Sequence, residues 1–263
     1  MTEKKDFLWL QLRDLPYFRA VLRAVESRAY QQIPLTPPIL DLGCGDGHFA
    51  SVTFDHKIDV GLDPWTGPLK QAAGRGVYGV TVQSAGAHIP YADGTFQTVI
   101  SNSVLEHIQE LDPVLAETAR VMKPGGLFVF CVPNHQFLGN LSVSNFLDRI
   151  GLRFLGDLYR RFFNKISRHY HCDAPDVWTN RLNQAGFTVD KTWHYFSRKS
   201  LAVLEWGHYF GLPSVVAKVL FRKWILAPTR WNLAGVITIT KPVYDEPVEV
   251  ADGSYSFYIC HKR

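Results

Sequence analysis

Hydrophobic positions along this chain follow two different periods. Between residues 38 and 133, short apolar runs bounded by Gly, Pro, Asn or Asp alternate with helix-period stretches: Ile39 to Leu42, Ile58 to Asp63, Val77 to Val82, Thr98 to Ser103 and Leu127 to Pro133. Runs of that length, without strict alternation, predict strands buried on both faces and joined by crossover helices. Phe187 to Tyr195 and Ser254 to Cys260 read as a sixth and a seventh strand.

Elsewhere the period is helical. Phe7, Leu8, Leu10, Leu12, Leu15, Phe18, Val21, Leu22 and Val25 recur at helix spacing, and Pro16 divides them into two helices. Phe146, Ile150, Phe154, Leu158 and Phe162 recur every fourth residue, joined by Leu147, Leu155, Tyr159 and Phe163, which predicts one broad apolar and aromatic face. Arg149, Arg153, Arg160, Arg161, Lys165 and Arg168 fill the rest of that segment. A stretch at about 198–250 carries Trp206, Tyr209, Phe210, Phe221, Trp224, Ile225, Leu226 and Trp231, and is too long for a structureless loop. Lys241 to Gly253 reads as a polar surface loop.

Composition narrows the class. With 263 residues, 46% hydrophobic and 20% charged, the chain suits one substantial globular domain with insertions. No apolar run reaches the roughly 18 residues that span a bilayer. Met1 to Asp6 is polar and Phe7 onward soon meets charge, so no signal peptide is expected and a cytoplasmic location is the default. Cys44, Cys131, Cys172 and Cys260 form no C-x-x-C pair and read as reduced thiols. A net charge of +4 is too small to indicate nucleic acid.

The chemistry concentrates after the first strand. Gly43, Gly45 and Gly47 alternate there, and glycines let a ligand lie against the main chain. A dinucleotide fingerprint runs G-x-G-x-x-G. Here the third glycine comes one position early and His48 stands in its place. Asp41 would repel a pyrophosphate but attract a ligand carrying sulfonium and ammonium charges, such as S-adenosylmethionine. Asp63, 20 residues after Gly43, closes the next strand and can accept both ribose hydroxyls of an adenosine cofactor.

Asp41-Leu-Gly-Cys-Gly-Asp-Gly47, Asp63, Ile89-Pro90, Leu105-Glu106-His107 and Arg120-Val-Met-Lys-Pro-Gly-Gly126 together resemble the class I S-adenosylmethionine-dependent methyltransferases, particularly the quinone-biosynthesis-like, type 11 group. The resemblance implies an α/β, doubly wound fold with a seven-stranded, mostly parallel sheet whose last strand runs antiparallel, and two insertions forming a cap. It divides the chain into an N-terminal helical cover (1–35), a cofactor-binding core (36–133), a helical lid insertion (134–175) and the C-terminal part of the core (176–263) containing the aromatic insertion. It implies S-adenosylmethionine as cofactor, held by Asp41, Gly43, Cys44, Gly45, Gly47, Asp63, Pro64, Ser84, Ala85, Asn102 and Ser103. Two positions depart from the family pattern: Ser84 or Ala85 replaces the acid that accepts the adenine amino hydrogens, and Gln97 replaces another acid. The Asn/Asp-Pro-Pro-Tyr turn shared by methyltransferases that alkylate adenine or amide nitrogens is absent from Ser101 to Val104, which disfavours methylation of an exocyclic amine.

An oxygen acceptor would also need a base, and His107, His169 and His171 are the candidates. Zinc at His169 and His171 would need two more ligands; Cys172 and Asp173 stand on competing faces, so no metal is expected. By the same resemblance the N-terminal helix would cover the cofactor, where Arg19 or Arg23 could face an anionic acceptor, although an ordinary solvated helix face is the preferred reading for each. An insertion after the fifth strand lies above the cleft of a doubly wound fold and would build the acceptor pocket. Its basic-aromatic character suits a lipid-linked acceptor, or the inner face of an anionic membrane. The ordinary alternative, a lid packed on the core, is preferred, because Gly151 and Gly156 weaken a free interfacial helix. The expected activity is therefore methyl transfer to oxygen or carbon of a small or lipid-linked acceptor. Two alternatives stand beside it: a catalytically silent binder of S-adenosylmethionine or its demethylated product, and an NAD-linked oxidoreductase.

Overall fold

The computed structural model describes residues 5–263; Met1 to Lys4, which belong to the expected N-terminal cover and polar start, lie outside the described residues. Seven strands, β1 (Ile39–Leu42), β2 (Ile58–Asp63), β3 (Tyr78–Gln83), β4 (Phe96–Asn102), β5 (Met122–Pro133), β6 (Phe187–Tyr195) and β7 (Tyr255–Lys262), form one sheet. Their order is β3-β2-β1-β4-β5-β7-β6. The first five pair in parallel, and β7 lies antiparallel between β5 and β6. The expected α/β, doubly wound class is the observed one.

The helices are α1 (Phe7–Leu12), α2 (Tyr17–Tyr30), α3 (His48–Thr53), α4 (Thr66–Arg75), α5 (Leu111–Val121), α6 (Ser142–Arg149), α7 (Arg153–Ser167), α8 (Pro175–Gln184), α9 (Arg198–Phe210), α10 (Leu212–Phe221) and α11 (Ala234–Tyr244). Alternation along the strands divides the core between two faces. Ile39, Ile100, Val129 and Phe257 pack with α2, α3 and α9 on one side. Leu40, Val99, Phe128 and Tyr258 pack with α5 and α8 on the other. Burial of all four β1 positions follows, since a central parallel strand is covered on both faces.

Three local expectations need correction. Strand β5 begins at Met122, pairs there with Phe96, and resumes pairing at Leu127 with Thr98, so Lys123 to Gly126 is a bulge within the strand. Lys241 to Tyr244 is helical, which shortens the expected surface loop.

The third concerns the segment after β5. It forms not one helix but a hairpin of α6 and α7, broken where Gly151 takes a φ of +85°. Gly156 lets the two helices approach, because a Cβ there would sit 2.4 Å from Asp148 Oδ1. The expected packing of the apolar face on the core is met only in part: Phe163 is buried and Tyr159 packs against the core, whereas Phe146, Phe154, Leu158 and Phe162 are exposed.

Candidate functional site

The loop after β1 is held by the neighbouring strand. Gly43 N and Cys44 N donate to Leu62 O at 2.8 and 3.0 Å, and Gly47 N donates to Cys44 O at 3.0 Å. Gly43 packs under Val104, where a Cβ would meet Cγ1 at 2.4 Å. Gly45 differs: it has a φ of +56°, and a Cβ there would meet nothing within 4 Å. The loop thus presents bare backbone to open space.

Asp63 is fixed against that backbone. Its Oδ2 accepts from Gly45 N at 2.9 Å and its Oδ1 from Trp65 N at 2.9 Å. Each oxygen retains lone-pair capacity for a ligand hydroxyl. Pro64 and Trp65 follow, and the Trp65 side chain is 70% exposed at the edge of the cleft. At the end of β3, Ser84 N donates to Asp63 O at 3.3 Å. The Ser84 hydroxyl donates to His88 O, which leaves its own lone pairs for an amino group, with Ala85 exposed beside it.

Asp41 occupies a different place from the one its charge suggests. It lies buried under the loop, where the Tyr78 hydroxyl donates to its Oδ2 at 2.6 Å. Burial pushes its carboxyl up to about 6. The Tyr78 ring fills the space beneath Gly47 and Gly61, where added Cβ atoms would come within 3.0 and 2.9 Å of it. Cys44 is also buried, and burial pushes its thiol up. Both side chains are buried beneath the loop rather than open to the cleft.

Asn102 and Ser103 are turned toward α2. Asn102 Nδ2 donates to Glu26 Oε2 at 2.6 Å and Ser103 Oγ to Glu26 Oε1 at 2.9 Å. The Tyr195 hydroxyl donates to the same Oε1 at 2.9 Å, and Arg23 to Oε2 at 3.0 Å. Glu26 is completely buried, its carboxylate accepting four bonds. The Asn102 and Ser103 side chains are thus both engaged by Glu26, which latches α2 to the end of β4.

Above the latch lies a cavity of about 400 Å³, lined by Arg19, Leu22 and Arg23 of α2, by Ser103, Glu106 and His107 after β4, and by Ile166 to His169, among others. A neighbouring cavity of about 680 Å³ runs from Trp65 to Arg161, Lys165 and Tyr170. His107, Arg168 and His169 line both. Arg19 and Arg23 both line the first cavity.

His107 and His169 stand together, with ring centroids 5.3 Å apart. His107 Nδ1 is 3.0 Å from Arg168 O, and burial holds its imidazole below the ordinary value. Burial pushes His169 down to about 3. Glu106, 1% exposed, has Oε1 3.8 Å from His107 Nε2 and an Oε2 without a partner; burial pushes its carboxyl up to about 8. One ligand atom from each of Glu106, His107 and His169 lies within 4.8 Å of the others, so these residues, rather than Cys172 and Asp173, are where a cation could be held. His171 is not part of the group. Its Nε2 lies 3.0 Å from Ile108 O and its Nδ1 3.3 Å from Arg181, outside both cavities.

Residues 40–130 match the family described as "Methyltransferase domain". That segment is similar to methyltransferase domains. It spans the glycine loop, Asp63, Ser84 and the Leu105-Glu106-His107 turn, and leaves out the α6–α7 hairpin and α9 to α11. An uncharacterized methyltransferase of Mycolicibacterium gilvum is 37% identical over 94 residues, a match covering 35% of this chain and 37% of that protein. The chain thus aligns with well under two thirds of that relative. In fold the likeness extends further. A SAM-dependent methyltransferase of Thermotoga maritima superposes with a TM-score of 0.57 at 16% identity, over 94% of this chain and 91% of the other. The [4+2]-cyclase SpnF superposes with a TM-score of 0.55 at 18% identity, over 91% and 80%. Besides the motif residues, the structure adds Glu26, Tyr78 and Trp65, and it gives Glu106, known from the sequence only as part of the Leu105-Glu106-His107 motif, a buried place beside His107. Trp65 carried a signal, an aromatic just past the acid that closes β2.

Proposed function

We propose that this protein transfers the methyl group of S-adenosylmethionine to an oxygen or carbon atom of a small or lipid-linked acceptor. The observation that carries this reading is Asp63, anchored to Gly45 N beside uncovered backbone and followed two residues on by Trp65, which lines the cavity that His107 also lines. An adenosine ribose fits the free lone pairs of that carboxylate, and the cofactor's sulfur-bearing arm fits the open space over Gly45. When bound, the cofactor supplies an electrophilic methyl carbon. The protein aligns the acceptor in the cavity under α2, with Arg19 and Arg23 available to an anionic group.

For a hydroxyl acceptor His107 is the base. With Nδ1–H donated to Arg168 O, the Nε2 lone pair is left to take the hydroxyl proton as the oxygen–methyl bond forms. His169, its basicity depressed by burial, shapes the wall beside it.

The sheet order counts against the oxidoreductase alternative, because β7 is inserted antiparallel between β5 and β6, whereas a dinucleotide fold runs 3-2-1-4-5-6. The silent-binder alternative keeps one supporting observation, Ser84 in place of the adenine acid, and the same fold serves a protein described as a cyclase. Titration calorimetry with S-adenosylhomocysteine, followed by incubation with methyl-labelled S-adenosylmethionine and separated lipid and aqueous extracts, separates these readings. Binding with transfer supports the proposal, binding without transfer favours the silent protein, and no binding at millimolar ligand overturns both.

A further inference from the structure

The α6–α7 hairpin and the helices beyond it leave large apolar side chains without a protein partner. Phe146, Phe154, Leu158 and Phe162 face solvent, Phe154 at 74% exposure. Helix α9 lies alongside, since Trp206 Nε1 donates to Ser142 Oγ at 3.1 Å and the Tyr209 hydroxyl to that of Tyr159 at 2.9 Å. Phe210 is exposed and stacks on Trp206. After Gly211, α10 exposes Val216, Val219, Leu220 and Phe221. An apolar surface of this extent marks an interaction site.

Charge selects the occupant. From Glu205 to Asp245 the sequence has no intervening acid; Arg230 and Lys241 pair with Asp6 and Asp245, which leaves Lys218, Arg222 and Lys223 as the basic group of α10 and the turn after it. On the hairpin, Asp148 and Asp157 both pair with Arg160, while Arg149 and Arg153 are exposed beside the aromatic residues. A second copy of this chain would oppose cations to cations. A bilayer with anionic headgroups matches both the apolar residues and the charge.

We propose that this face docks peripherally on a membrane surface containing anionic phospholipid. The aromatic side chains sit at the boundary between headgroups and acyl chains, and the Lys and Arg side chains meet the phosphates. No helix among the described residues is long and apolar enough to cross a membrane, so the contact is interfacial. Ile166, exposed near the end of α7, lines the cavity that holds His107. The docked face therefore adjoins the acceptor site, and a lipid-linked acceptor could enter from the bilayer. Only this last step rests on the methyltransferase reading.

The test is co-sedimentation of the full chain with vesicles of phosphatidylcholine alone or mixed with phosphatidylglycerol, at low and high salt. Binding to the mixed vesicles is expected, weakened by salt and reduced about fivefold by each of Lys218→Ala and Arg222→Ala. Phe154→Ser combined with Phe162→Ser should abolish it while leaving S-adenosylhomocysteine binding and far-ultraviolet dichroism unchanged. No pelleting with either vesicle, or equal pelleting with both, overturns the proposal. So does a lipid-free dimer in analytical ultracentrifugation that the double Phe variant dissociates, because a second copy then covers the face. Vesicle binding without S-adenosylhomocysteine binding would sink the proposed activity and leave the docking intact, and the reverse result would sink the docking alone.

Discussion

Asn102, the last residue of β4, donates its side-chain amide to the carboxylate of Glu26 on α2 at 2.6 Å. This contact joins the N-terminal helices to the carboxyl edge of the sheet, and Ser103, Tyr195 and Arg23 complete the carboxylate's shell. Glu26→Ala would strand four donors in a buried site, so it should destabilise the fold by about 3–5 kcal/mol. Glu26→Gln keeps the shape but turns two acceptor positions into donors and should recover only part of that. Urea unfolding of the three proteins measures both effects; an Ala variant within 1 kcal/mol of the parent would show that the latch contributes little.

Asp63 supports the loop and, in the proposed function, the ligand, and the two roles separate by substitution. Asp63→Asn keeps one carbonyl oxygen for Gly45 N or Trp65 N, whereas Asp63→Ala keeps neither. Hydrogen bonds to a charged group contribute about 1.5–3 kcal/mol each, so Asp63→Ala should weaken S-adenosylhomocysteine binding by at least about tenfold. Calorimetry reads this directly. Unchanged affinity would remove the ribose from this carboxylate.

The strands and the glycine loop were legible because each is a local pattern. Apolar runs between glycines need the interior of a parallel sheet wherever the chain goes, and Gly45 reads as bare backbone in any context. Residues whose role depends on distant partners were not legible. Glu26 looks like one more charge on an amphipathic helix until Asn102, Ser103 and Tyr195, remote in the sequence, are found around it. Asp41 was read correctly as an acid at a strand tip, but its partner Tyr78 comes from β3 and hides it. The aromatic period at Phe154, Leu158 and Phe162 showed a helix face, yet period alone does not say what that face meets. His169 and His171, two residues apart, looked equivalent, and the backbone sends one into the cavities and the other to Arg181.

Asp41 gives a pH signature in the ligand-free protein. The unfolded chain releases its proton near 3.8 and the folded chain near 6, because burial disfavours the charged form. The folded state therefore binds the extra proton between those values, so this group's contribution falls as pH rises through the window and stays lowered above it. Asp41→Asn removes that component, worth about 3 kcal/mol. The depressed His169 acts in the opposite sense at overlapping pH, so the informative quantity is the difference between parent and variant. That difference should grow from pH 4 to 6 and then level off. A flat difference would mean the folded carboxyl titrates as it does in the unfolded chain.

His107 should leave its mark on the pH–rate profile. Burial holds its imidazole below 6.5, so the neutral base is already the main form at pH 7. With an oxygen acceptor the rate should rise with pH along a limb centred below 6.5 and be flat above it. His107→Gln should slow transfer by about 10²- to 10⁴-fold and erase the limb, while S-adenosylhomocysteine binding stays the same. Because the ring lies against Arg168 O, a variant that merely loosened the loop would weaken substrate binding and keep the limb. A limb that survives in the Gln variant assigns the proton to another group. A rate independent of both pH and His107 points to a carbon acceptor that needs no base at this position.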